Sequence, residues 1–244
     1  MAKLECTFKS AVLGKEADVN IIIPNDISSA RVLYLLHGLS DNHTNWSRNT
    51  SIERYALEHN YFVVMPDAGR SFYADMEYGL AYYTYITQEL YDYIGKTFKV
   101  NQFRENTFIA GLSMGGYGAF KLALKNPDKY CAAASFSGVL DVCSRFSGGD
   151  WGRDAYLICG GRDVRGSEED LLYLLDKFSD GNLKKPRLYQ SCGTEDFLYQ
   201  DNQTFKSKVE AADFDYKYVD GPGGHSWDFW DMHIKCALEF FDEK

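Results

Sequence analysis

Short apolar runs rich in β-branched residues recur along the chain at 18–24, 31–36, 61–65, 106–110, 131–136, 187–191 and 214–219, each bounded by Gly, Pro, Asn or Asp. Between most of them lie longer stretches with helical spacing, at roughly 50–59, 82–98, 115–126, 168–178, 199–211 and 228–241. Strand and helix in alternation predict a mainly parallel sheet with helices on both faces, because parallel strands need crossover connections. The runs VLYLL and FVVM are apolar without alternation, as strands covered on both sides should be. Residues 1–24 lack a helix and read as an antiparallel hairpin leading into the sheet.

Nothing divides the chain. With 244 residues and no Pro/Gly/Ser-rich linker or repeat, it reads as a single α/β domain over 1–244. The pattern is interrupted only at about 138–167, where glycines, charges and aromatics replace the periodicity; this stretch is expected to form a small cap or lid.

Within this frame one segment carries chemistry. In NTFIAGLSMGGYGAFKLAL, Gly111-Leu112-Ser113-Met114-Gly115 directly follows a predicted strand and directly opens a predicted helix. A serine on such a sharp turn has an exposed hydroxyl, small residues on either side allow close backbone approach, and the helix start beneath it presents unpaired N–H groups. Phosphate-binding turns of similar shape need Gly-Lys-Ser/Thr or G-x-G-x-x-G at the strand end, and neither is present.

A serine hydroxyl is a weak nucleophile and needs a base. Of five histidines, His225 lies in GPGGHSWDFW, a glycine-rich loop after the last predicted strand, where the base belongs in the chain order serine, acid, histidine. His37, His43 and His59 precede the serine, and His233 falls inside a predicted helix as a core or surface residue. The carboxylate that orients the base is expected in Gly193-Thr194-Glu195-Asp196, after the penultimate strand. The residues alone leave Glu195 and Asp196 close; Asp201 reads as a solvated face and Asp220 as a turn residue. The oxyanion formed on attack needs two N–H donors: Met114, next to the serine, and Leu39, in the loop His37-Gly38-Leu39-Ser40 after VLYLL. His37 itself reads as structural. Trp46, Phe72, Tyr73, Met76, Phe197, Leu198 and Trp227 flank these motifs and are candidates for the substrate pocket.

Composition narrows the partners. A formal net charge of -9 with no basic run disfavours nucleic acid and anionic membrane, and no window approaches the roughly 18 apolar residues of a membrane span. A small-molecule substrate is the expected partner, and a homo-oligomer stays open. No signal peptide is recognisable, so a cytoplasmic location is expected; a removed signal would leave the same chain, so secretion stays open. The six cysteines are scattered without a CxxC pair and read as reduced, mostly buried residues.

Together, LLHGLSDNHTNW, VVMPDAGRSFYADM, GLSMGGYGAF, GTEDFLYQDN and PGGHSWDFW closely resemble the Putative esterase family of α/β-hydrolases, and within it the tributyrin esterases. The resemblance runs from about residue 30 to the C-terminus and is thinnest over 138–182. It implies the triad Ser113, Asp196 and His225, favouring Asp196 over Glu195, with oxyanion donors Leu39 and Met114 and no metal or organic cofactor. The wider family includes S-formylglutathione hydrolases, acetyl-xylan and feruloyl esterases and mycolyltransferases. The S-formylglutathione hydrolases carry a cysteine-containing segment where this chain has HGLSDN, which lowers a thioesterase reading, and the absence of a signal lowers the mycolyltransferase one. The expectation is a serine carboxylesterase for short acyl or aryl esters, including acetyl or feruloyl groups on plant carbohydrate. An acyltransferase with the same serine stays open, whereas a non-catalytic binding protein would normally have lost a triad member.

Overall fold

The computed structural model describes residues 1–149, 151–179 and 181–243. Eight strands form one sheet among them: β1 (Ala2–Lys9), β2 (Glu16–Ile23), β3 (Arg31–Leu36), β4 (Tyr61–Pro66), β5 (Thr107–Leu112), β6 (Ala132–Phe136), β7 (Arg187–Gly193) and β8 (Tyr216–Gly221). The spatial order is β1-β2-β4-β3-β5-β6-β7-β8. β2 runs antiparallel to both β1 and β4, so the expected N-terminal hairpin is present, and all other neighbours pair in parallel.

Alternation along the central strands feeds two cores. Val32, Tyr34 and Leu36 of β3, with Phe62, Val64 and Ile109, face the side covered by the helix Met114–Lys125 through Tyr117, Phe120 and Leu124. Leu33 and Leu35, with Val63, Met65, Phe108 and Ala110, face the side covered by Ile52 and by Ile234, Leu238 and Phe241 of the helix Trp227–Asp242. Each large apolar side chain buried this way stabilises the fold by about 1.5–3 kcal/mol, so both sides of β3–β6 resist change.

Several boundaries differ from the sequence expectation. The stretch 50–59 follows one short helix, Asn45–Asn49, and contains a second, Ile52–Glu58, while the expected helix at 82–98 has a π-helical segment at Tyr85–Leu90. The interruption at 138–167 holds two short helices, Val142–Gly148 and Gly152–Cys159; Asp150, between them, lies outside the described residues. All six cysteines are free, Cys143, Cys159 and Cys192 buried and Cys6, Cys131 and Cys236 only half-buried, so burial holds for fewer of them than expected. No helix among the described residues is long and apolar enough to cross a membrane.

From β3 the chain goes first to β4 on one side and then, through a long crossover, to β5 on the other. Parallel sheets open a crevice beyond their carboxyl ends where the winding direction reverses. The loop His37–Asp41 and Ser113 both lie at that point.

Candidate active site

Ser113 is where β5 turns into the helix Met114–Lys125, with φ +54° and ψ -119°. The motif glycines follow from contact. A Cβ on Gly111 would stand 2.3 Å from Gly115 O, and one on Gly115 would stand 2.4 Å from Leu36 O. No side chain fits at either position, so the strand, turn and helix close tightly and leave the serine hydroxyl at the rim of a cavity.

His225 arrives from the loop after β8, and its Nε2 lies 3.0 Å from Ser113 Oγ. Its Nδ1 lies 2.9 Å from Asp196 Oδ2 and 3.1 Å from Oδ1. Asp196 follows β7, is buried, and also accepts the Leu198 backbone N–H at 2.8 Å. Burial alone would raise its pKa, but the hydrogen bond and charge of His225, the Leu198 N–H and the Ser137 hydroxyl together hold it below the usual carboxylate range. Ser137 carried no motif; it follows β6 at φ +49° and is held by Trp230 Nε1–H at 3.1 Å.

The competing acids are accounted for. Glu195 turns away from the histidine ring and accepts the Gly223 N–H. Asp201 is buried rather than on a solvated face: Arg145 meets it through Nε at 2.8 Å and Nη2 at 2.7 Å. Asp220 is exposed and accepts from the Tyr199 hydroxyl. His233 is a core residue packed against the Phe229 ring, and burial pushes its pKa down to about 4.

Neither Leu39 N–H nor Met114 N–H donates to any partner among the described residues. The cavity at Ser113 has a volume of about 320 Å³ and is lined by Gly38, Leu39, Ser40 and Asp41 on one side and by Leu112, Trp151, Phe197, His225, Trp227 and Trp230 on the other.

Of the side chains proposed for the pocket, Phe197 and Trp227 line this cavity. The other five do not. Trp46, Phe72, Tyr73 and Leu198 are buried in the cores behind its walls, the first three against specific partners. Trp46 Nε1–H donates to Leu36 O, the Tyr73 hydroxyl to His37 O, and Phe72 packs on Tyr117 and Phe146. Met76 lines a neighbouring groove with Arg70 and Trp151. Trp151 and Trp230 are wall residues that the sequence reading missed. Trp230 was findable, since it stands one helical turn from Trp227 and shares its face; Trp151 lies in the aperiodic stretch and gave no signal.

Comparisons with known proteins identify the family and the fold. The model of the Putative esterase family matches residues 10–241. The acetyl esterase of Caldicellulosiruptor saccharolyticus is 31% identical over 265 aligned residues, spanning 100% of this chain and 99% of that protein. Among solved structures, substrate-bound FphF, a fluorophosphonate-binding serine hydrolase of Staphylococcus aureus, shares 38% identity and superposes with a TM-score of 0.93 over 100% of this chain and 99% of its own. The S-formylglutathione hydrolase FrmB of the same species, as apoenzyme, shares 38% identity with a TM-score of 0.89 over 98% of each chain. On the family match and these relatives, the chain belongs to the Putative esterase family and is an ester hydrolase of the α/β-hydrolase fold.

Proposed function

We propose that the protein is a serine carboxylesterase acting on short acyl or aryl esters through an acyl-serine intermediate. The observation that carries this reading is the continuous relay from Ser113 Oγ through His225 to Asp196, with contacts of 3.0 and 2.9 Å. Ser113 gives its proton to His225 Nε2 as it attacks the ester carbonyl. Asp196 holds the ring with Nδ1–H towards the carboxylate and stabilises the imidazolium. The Leu39 and Met114 N–H groups bind the developing oxyanion; both are free of other partners among the described residues, as donors reserved for a ligand must be. His225 then protonates the departing alcohol, and water activated at the same Nε2 releases the acid from Ser113.

Substrate size follows from the walls. A cavity of about 320 Å³ beside Trp227, Trp230, Trp151 and Phe197 suits acetyl to butyryl groups and an aromatic acyl or alcohol group. Acetyl and feruloyl esters of plant carbohydrate fall in this class; the acetyl esterase relative supports the first. Nitrophenyl esters of increasing chain length, methyl ferulate and acetylated xylan, assayed with wild type and Ser113→Ala, test the reading. Full activity in Ser113→Ala would overturn it.

A second reading is favoured by one specific finding, the 38% identity to an S-formylglutathione hydrolase. The same relay can attack a thioester, and kcat/KM for S-formylglutathione against nitrophenyl acetate separates the two. Transfer to an alcohol in place of water would appear as a new ester when an acceptor alcohol is added.

A further inference from the structure

Three consecutive carbonyls in the turn after β3 are each held by a side chain. Trp46 Nε1–H donates to Leu36 O at 2.9 Å, the Tyr73 hydroxyl to His37 O at 2.7 Å, and His37 Nδ1 lies 2.7 Å from Gly38 O. The tautomer of His37 follows from its surroundings. The Ala68 backbone N–H points at Nε2 from 2.9 Å, and an N–H can only donate. Nε2 is therefore the acceptor, and Nδ1 carries the proton that Gly38 O accepts. Asp67 Oδ1 stands 3.5 Å from Nε2, farther away than the Ala68 nitrogen.

The geometry of the peptide unit gives this clamp a consequence. In a planar trans peptide the C=O and the following N–H point in opposite directions. Fixing Gly38 O towards His37 therefore fixes the direction of Leu39 N–H, the oxyanion donor of the reading above, on which this inference rests. We infer that His37 is a positioning residue that aims the Leu39 N–H at the oxyanion, and that Tyr73 supports it by fixing the preceding peptide through His37 O. The turn has little slack: a Cβ on Gly38 would stand 2.7 Å from Leu112 Cδ1, and one on Gly115 would stand 2.7 Å from His37 O. A rotated Gly38–Leu39 peptide would turn a carbonyl oxygen towards the site in place of a donor.

The phenol is itself held in place at a cost. Phe72 and Tyr73 have φ of +48° and +54°, a conformation that disfavours two adjacent aromatic residues. Lys121, fully buried, donates from Nζ to Phe72 O at 2.8 Å and to Glu169 Oε2 at 2.7 Å. That ion pair, with Lys121 buried and Glu169 half-buried, closes over the strained dipeptide and keeps the Tyr73 hydroxyl within reach of His37 O. Conserving the ring of Tyr73 while deleting its hydroxyl isolates the effect.

The test is Tyr73→Phe, with His37→Leu and His37→Asn, each quantified by active-site titration with a fluorophosphonate so that rates refer to correctly folded sites. For Tyr73→Phe and His37→Leu, kcat per titrated site is expected to fall about 10- to 100-fold, less than loss of a whole donor, with KM nearly unchanged. Affinity for an oxyanion-mimicking trifluoromethyl ketone should fall by a similar factor. His37→Asn, whose side-chain amide can stand in for the Nδ1 donor, is expected to recover part of that loss. A merely structural role would lower the titrated fraction or the melting temperature and leave kcat per site and inhibitor affinity at wild-type values, and that result would overturn the inference. Ser113→Ala run alongside keeps the two readings apart: an active Ser113→Ala sinks the serine mechanism, whereas an inactive Ser113→Ala beside a wild-type Tyr73→Phe sinks only the clamp.

Discussion

Glu195 Oε2 accepts the Gly223 N–H at 2.9 Å, so the carboxylate next to the triad acid ties the loop after β7 to the loop that carries His225. The two neighbours divide the work by direction: Asp196 points inward to the imidazole and Glu195 outward to the backbone.

Their substitutions should therefore separate cleanly. Asp196→Asn is expected to lower kcat roughly 10⁴-fold, because an amide in that place favours the wrong histidine tautomer. Glu195→Gln keeps an oxygen that can accept the Gly223 N–H and should lose less than about one order of magnitude, since one net hydrogen bond of that kind is worth about 1 kcal/mol. Steady-state kinetics with nitrophenyl acetate measures both, and a reversed order would make Glu195 the triad acid.

Chain-length preference is the second expectation. While there is wall to bury against, each added methylene gains at most about 0.8 kcal/mol, and overpacking reverses the trend once the cavity ends. Values of kcat/KM should peak between acetyl and butyryl esters and fall steeply by about eight carbons, an extrapolation from those per-methylene magnitudes. Trp227 lines the cavity and packs edge-on against Trp46 and Trp230, so Trp227→Ala should move the optimum to longer chains. A wild-type maximum at eight carbons or more would show that the acyl group leaves the cavity by another route.

His233 gives the third, a pH dependence of stability. Its folded pKa is depressed to about 4 from an ordinary 6.5 because the ring is buried. The unfolded chain therefore binds the extra proton first, and stability is lost as pH falls below about 6.5 and levels off below about 4, amounting to about 3 kcal/mol at the limit. Nδ1 also lies 3.0 Å from the Tyr189 hydroxyl. His233→Gln should be less stable than wild type at pH 7 yet lose less on acidification; urea midpoints at pH 7 and pH 4.5 for both proteins give the comparison. Equal losses would show that His233 already titrates normally in the folded state.

The sheet and the serine turn could be read from the sequence because each is written in a local pattern, whereas the residues alone left Glu195 and Asp196 close and only the family resemblance favoured Asp196. Apolar runs mark β3 to β6, and the Gly111–Gly115 turn needs only its neighbouring strand and helix to be recognised. The pocket is different in kind. Trp46 and Tyr73 sit close to the motifs in sequence, but a single hydrogen bond each, to Leu36 O and His37 O, turns them to the core. Asp201 was expected on a solvated face because its partner, Arg145, lies 56 residues away. Local periodicity holds no information about such pairs.

The backbone of Ser113, at φ +54° and ψ -119°, sets fitness against robustness at a single position. A glycine there would release about 1–3 kcal/mol of conformational strain, against roughly 0.5–1 kcal/mol of added freedom in the unfolded chain. Ser113→Gly is thus expected to melt no lower than wild type while hydrolysing nothing. Selection for turnover keeps this protein below the stability its own architecture could reach, and screening variants by thermal resistance alone would lead away from the enzyme.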